Sequence, residues 1–208
     1  MRGRFISLEG GEGVGKSTQA RLLVAALAER GIDALLTREP GGSSGAEAIR
    51  GLLLSGAAER WTIEAEALLF AAARADHVAR TIRPALDAGR WVVCDRFLDS
   101  SRAYQGIGGA LSDADILTLH RIGSASLLPD RTLLLTLPLD ESSARADLRD
   151  GDEPDRIGGR DGAFHRAVGE AFARFATTEP ARFRQVDAAG SPEAVNARLM
   201  AALADLLP

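Results

Sequence analysis

Lysine is almost absent from this chain. Of 25 basic residues among 208, only Lys16 is lysine and the rest are arginine. A guanine-reading Asn-Lys-x-Asp motif is therefore excluded outright. Cysteine is equally scarce. Cys94 alone rules out an intramolecular disulfide and fits a reducing compartment. In the run Trp91-Val92-Val93-Cys94 it reads as a buried strand residue rather than a reactive thiol. Aromatics make up 5%, so alanine and leucine carry the apolar content and helices should form the outer layers. No apolar run approaches the ~20 residues that cross a bilayer. The short one in MRGRFISLEGG meets glycine too early for a secretory signal. Excess positive charge is missing too. A net charge of −4 argues against non-specific binding to nucleic acid or to anionic membrane. The expectation is a cytoplasmic protein with neither as a partner.

What is present is a foldable balance, 46% hydrophobic and 26% charged, over a length that suits one domain spanning 1–208. Strands are predicted at 4–9, 32–37, 91–95, 131–137 and 183–186. Helical periodicity covers 18–30, 46–54, 113–124, 141–148, 163–175 and 191–207, and also 64–86 with a division near Arg80–Pro84. Arg131 to Leu137 is apolar almost throughout, as expected of a parallel strand covered on both faces. Strands alternating with helices give an α/β class with a five-stranded parallel sheet flanked by helices. Ligands then belong beyond the carboxyl ends of the strands.

Lys16 stands in the one place where chemistry asks for lysine. Gly10-Gly11-Glu12-Gly13-Val14-Gly15-Lys16-Ser17-Thr18 matches the phosphate-binding P-loop, with a strand before it and a helix after it. Glycines let backbone N–H groups converge on phosphate oxygens, and the helix N-terminus adds a favourable dipole. Lys16 would bridge the β- and γ-phosphates of ATP and Ser17 would ligate Mg2+. Arginine's wide planar fork is a poor substitute for a compact ammonium there.

Four further elements face the same crevice. Asp95-Arg96 ends the third strand, an acidic group near the metal beside a phosphate-holding arginine, though such a pair is as often structural. Thr37-Arg38-Glu39-Pro40-Gly41-Gly42 aims a second arginine from the second strand. Phe70 and Arg74 share a helical face, so ring and guanidinium could embrace a planar base. Taken alone, they also read as a core phenylalanine beside a surface arginine. Arg145, Arg149, Arg156 and Arg160 punctuate a polar loop that by itself would be merely solvated. Asp187-Ala188-Ala189-Gly190 follows the last strand and reads as a turn.

In this order and spacing, GGEGVGKST, TREPGG, FAAAR, DRFLDSSRAYQ and DEPDRIGGR resemble the bacterial thymidylate kinases, a P-loop nucleoside monophosphate kinase family. The resemblance runs over nearly the whole chain, and TREPGG and DR-x-x-x-S-x-x-AYQ are its specific parts. It implies transfer of the γ-phosphate of ATP to dTMP with Mg2+, a homodimer, and a mobile lid near 149–162. The P-loop, Arg145 and Arg149 would hold ATP, with Ser17 and Asp95 at the metal. Arg38 and Arg96 match positions that grip the dTMP phosphate. Phe70 matches the residue stacked on thymine, and Arg74 the one that reads its O4. Ser101 falls opposite N3, with Ser100 and Gln105 close by. Tyr104 matches the tyrosine beside the sugar's 2′ side, and Glu12 a carboxylate near the 3′-hydroxyl. Some relatives carry arginine at the position of Gly13. Its absence here points to a lid arginine, Arg156 in Asp155-Arg156-Ile157, as the cation at the transition state, with catalysis resting on Lys16, Arg96 and Arg156. His77, His120 and His165 have no role in this scheme. Competing readings are a kinase for dUMP, dCMP or a deoxynucleoside, and a P-loop switch or assembly ATPase.

Overall fold

Five parallel strands end on one edge of a sheet ordered β2-β3-β1-β4-β5. They are β1 (Phe5–Glu9), β2 (Ala34–Arg38), β3 (Trp91–Asp95), β4 (Arg131–Thr136) and β5 (Phe183–Asp187). The coordinates, a computed structural model, describe residues 2–106, 110–150 and 156–208, apart from the side chains of Ala58, Asp147, Arg149 and Asp150. The expected α/β class and five-stranded parallel sheet are what is found. Apolar Phe5–Leu8 and Val92–Cys94 are wholly buried, because helices cover both faces of the sheet.

On one face, α1 (Lys16–Ala28) and α9 (Pro192–Ala202) pack against the sheet through Leu23, Leu27, Val195 and Leu199. On the other, α3 (Ile63–His77), α4 (Arg83–Asp87), α5 (Leu98–Gln105) and α6 (Asp113–Ser124) close over Phe5, Val92 and Phe97. α2 (Ser44–Leu54) lies against α3, while α7 (Leu139–Asp150) and α8 (Gly162–Thr178) flank the stretch where the lid is expected. The predicted break in 64–86 is a π-helical turn at Val78–Ile82, with Pro84 in the first turn of α4, where its missing N–H costs nothing.

Register decides where the chemistry sits. Arg38 pairs with Asp95, and Asp95 with Leu8. Glu9, Arg38 and Asp95 thus reach the carboxyl edge together, and the P-loop rises between them. The segment after β3 then departs from the sequence expectation. DRFLDSSRAYQ folds into the short helix α5, whereas no helix was expected there.

Candidate active site

The carboxyl edge opens into a cavity of about 450 Å³. One wall is the P-loop. Lys16 is buried, and its Nζ donates to the carbonyls of Gly10 at 3.2 Å and Gly11 at 2.5 Å. Burial lowers its pKa to about 8, the Arg96 charge adds to the fall, and Glu12, Asp95 and Glu9 oppose it. Ser17 Oγ donates to Asp95 Oδ2 at 2.5 Å. Gly13, Gly15 and Thr18 also line the cavity, whereas Val14 turns inward to the core beneath the loop.

Gly13 has a structural reason beyond charge. Its φ is +71°, and a Cβ there would stand 1.9 Å from the Ser142 carbonyl of α7. Helix α7 therefore rests directly on the P-loop. Gly13→Ala should push α7 away and raise the KM for ATP at least tenfold. Steady-state kinetics checks this, and an unchanged KM would show that α7 yields freely.

Beside the P-loop, in the same cavity, stands Arg96. Its backbone has φ 68°, a left-handed conformation that a side-chain-bearing residue adopts at a cost. From there Nη2 donates to Glu12 Oε1 at 2.6 Å and to the Tyr104 hydroxyl at 3.3 Å, while Nη1 reaches Gly10 O and Ser100 Oγ. Burial works against its charge, but Glu12, Tyr104, Asp95 and Glu9 more than offset this and hold the guanidinium firmly protonated. The phenol of Tyr104 is pushed up by burial. Beneath them Glu9 is fully buried, and burial and the nearby Asp99 raise it to about 7. It accepts from the backbone N–H of Phe97 and Ser100 and from Ser100 Oγ.

Beyond the P-loop, Arg38, Phe70, Arg74, Ser101, Tyr104 and Gln105 line the same cavity. Arg38 is the exposed member, paired with Glu47 at 3.1 Å. Arg74 is buried and donates to Ser101 Oγ at 2.9 Å and to Phe97 O at 3.1 Å. Gln105 donates to Glu66, and its Oε1 is buried with no partner among the described residues. Arg50, Leu54 and Ile157 line the cavity as well, although none was singled out in the sequence. Arg50 donates to Pro40 O at 2.7 Å. Its signal was present, since α2 follows the TREPGG turn and carries an arginine toward it.

A family model described as thymidylate kinase matches residues 8–199. The chain belongs to the thymidylate kinase family. A thymidylate kinase from Rhizorhabdus wittichii is 65% identical over 208 residues, all of both chains. One from Bradyrhizobium sp. strain ORS 278 is 49% identical over 196 residues, covering 94% of this chain and 87% of that one. The crystal structure of thymidylate kinase from Ehrlichia chaffeensis superposes with a TM-score of 0.77 at 28% identity, over 98% of this chain and 100% of that chain. The activity is ATP-dependent phosphorylation of dTMP.

Arg156 and Arg160, expected to reach the bound phosphates, do not line the cavity. Arg145 lines the cavity, with Nη1 3.4 Å from Ala188 O. Arg156 is buried away from the P-loop, donating to Leu53 O at 2.8 Å and to Glu66 Oε2. Arg160 donates to the same oxygen at 2.7 Å. A buried carboxylate on α3 thus attracts both charges in this conformation. The Arg149 side chain and lid residues 151–155 lie outside the described residues. Asp99 points away from the cavity, fully buried and bound by Arg102 and Arg182. His120 donates from Nε2 to Leu127 O, and burial lowers its pKa to about 4.

Proposed function

We propose that the chain transfers the γ-phosphate of ATP in line to the phosphate of dTMP, giving dTDP, as a single-domain homodimeric enzyme of the cytoplasm that uses Mg2+. The observation carrying this reading is convergence in one cavity. A P-loop, two arginines and a base-sized pocket built from Phe70, Arg74 and Ser101 open onto it together. An assembly ATPase has no use for the second half of that list.

Lys16 neutralises charge moving toward the leaving β-phosphate. Arg38 and Arg96 fix the acceptor phosphate, whose oxygen is already ionised at neutral pH, so no general base is required. Phe70 stacks on the thymine, Arg74 donates to O4, and Gln105 Oε1 and Ser101 are the polar groups for N3. Ser100 steadies Arg96, and Tyr104 fills the space a ribose 2′-hydroxyl would need. Gly10, Gly11 and their loop neighbours supply the donor's backbone cradle. Ser17 and Asp95 suit Mg2+, a hard cation usually held by one or two carboxylates together with nucleotide oxygens. When bound, the ion would neutralise charge on the phosphates. Arg145 is the α7 cation already at the donor side, and Arg156 serves the transition state only after exchanging Glu66 for phosphate. No helix among the described residues is long and apolar enough to cross a membrane. Leu68, Leu117 and Ile122 on the adjoining α3 and α6 expose apolar surface that supports the dimer reading.

A panel of nucleoside monophosphates tests the acceptor. dTMP should be phosphorylated faster than dCMP or AMP, and Arg74→Ala should raise the KM for dTMP by about tenfold to a hundredfold, the range for a lost charged hydrogen bond. The KM for ATP should stay within about twofold. If dCMP or AMP outruns dTMP in the unmodified enzyme, the roles given to Phe70, Arg74 and Ser101 are wrong.

A further inference from the structure

We infer that Glu39, oriented by His77, sets the angle of the Arg74 guanidinium and thereby tunes discrimination between thymine and cytosine. The inference rests on the reading of Arg74 as the residue that meets the base. Arg74 and Glu39 expose 4% each of their side chains, and His77 none. Arg74 Nε donates to Glu39 Oε2 at 2.7 Å, and Nη2 is tied to Phe97 O and Ser101 Oγ. The Phe97 ring supports the guanidinium at 5.2 Å. Nη1 is left without a hydrogen bond among the described residues, on a side chain that lines the cavity. An arginine so held offers one pair of N–H groups in a fixed direction.

Glu39 is in turn held from behind. Its Oε1 lies 3.0 Å from His77 Nδ1, and His77 Nε2 lies 2.7 Å from Thr37 Oγ1. A carboxylate oxygen accepts only, so Nδ1 carries the donated proton and the Thr37 hydroxyl closes the chain. The loop is shaped around this row. A Cβ on Gly42, where φ is +85°, would come within 2.3 Å of His77 Nε2 and 2.5 Å of Thr37 Oγ1. The turn after Glu39 thus leaves room for the imidazole.

The consequence is selectivity, because guanidinium has donors and no acceptor. Facing thymine O4 it gains a hydrogen bond, and facing the 4-amino group of cytosine it meets another donor. That difference survives only while Nη1 cannot swing aside. Glu39 and His77 are positioning residues, since they act through Arg74: Glu39 meets the cavity wall with 4% of its side chain exposed, and His77 does not line it.

The test compares kcat/KM for dTMP and dCMP in Glu39→Gln, His77→Asn, His77→Gln and Arg74→Ala, with the KM for ATP as control. Asparagine keeps a donor near the place of Nδ1, whereas glutamine places its amide near Nε2. Glu39→Gln and His77→Gln should each lower the dTMP preference about tenfold, with the KM for ATP within about twofold, while His77→Asn retains most of it. If Glu39→Gln does not fold because Arg74 is left uncompensated, the two His77 variants decide alone. Equal loss in both would make His77 a packing residue and overturn the inference. Preference lost in Arg74→Ala but kept in Glu39→Gln and His77→Gln would overturn it while leaving the base reading intact. Preference kept in Arg74→Ala would sink both.

Discussion

Lys16→Met should cut kcat about a thousandfold, comparable to losing an optimally placed charge-stabilising donor in other active sites. Dissociation of dTMP should change by no more than about twofold. The asymmetry follows from placement. Lys16 Nζ rests on the carbonyls of Gly10 and Gly11, on the donor side of Arg96. The same buried amine gives a pH signature. With its pKa at about 8 in the free enzyme, Lys16 is half uncharged at pH 8, and incoming phosphates raise that value. ATP affinity is therefore full below pH 8 and declines as pH rises toward the bound-state pKa, with proton uptake on binding across that window. Calorimetry in buffers of different ionisation enthalpy measures the uptake. No other lysine complicates labelling. An amine reagent at pH 8 should modify Lys16 and the α-amine, and ATP should slow inactivation. Inactivation indifferent to ATP would contradict the placement of Lys16 at the phosphates.

The donor half of the site was legible because its determinants are local. The strand, glycine turn and helix of the P-loop are contiguous, and a parallel strand buried on both faces announces itself as an apolar run such as Arg131 to Thr136. The acceptor half depends on partners far apart in sequence. Helix α5 escaped notice because its buried face holds Asp99 and Arg102, which are satisfied by ion pairs rather than by apolar neighbours. Its N-terminal capping group is Glu9, 88 positions upstream of Phe97. No window of local sequence contains that bond. A strand-end carboxylate beside the P-loop thus anchors the helix bearing Ser100, Ser101, Tyr104 and Gln105, so two walls of one cavity share a support.

The same limit explains the lid. Arg156 was read from a charged loop as free to move, yet its partner Glu66 lies 90 positions away on α3. Glu66 is four residues before Phe70 and also accepts from Gln105. Glu66 thus gives Arg156 and the cavity residue Gln105 a common contact.

Arg96→Ala should lower kcat/KM for dTMP about a thousandfold, and the larger interest lies in what it leaves behind. Glu12 is a carboxylate inside a loop built for phosphate, and Arg96 Nη2 at 2.6 Å and the Tyr104 hydroxyl at 3.3 Å are among the groups that make it tolerable. Without Arg96, less of that charge is offset against the incoming phosphates. Adding Glu12→Gln to Arg96→Ala should then recover about tenfold, although Glu12→Gln alone impairs the enzyme. In a double-mutant cycle the pair should show a coupling of about 1–3 kcal/mol. Strictly additive losses would mean that Glu12 serves the acceptor sugar independently of Arg96. The backbone supplies a second comparison. Residue 96 sits at φ 68°, a region where a Cβ costs roughly 1–2 kcal/mol and glycine does not. Arg96→Gly should therefore be more stable than Arg96→Ala by about 1 kcal/mol in urea unfolding while being equally impaired. Activity and strain at this position would then separate cleanly, the guanidinium accounting for one and the left-handed turn that aims it for the other.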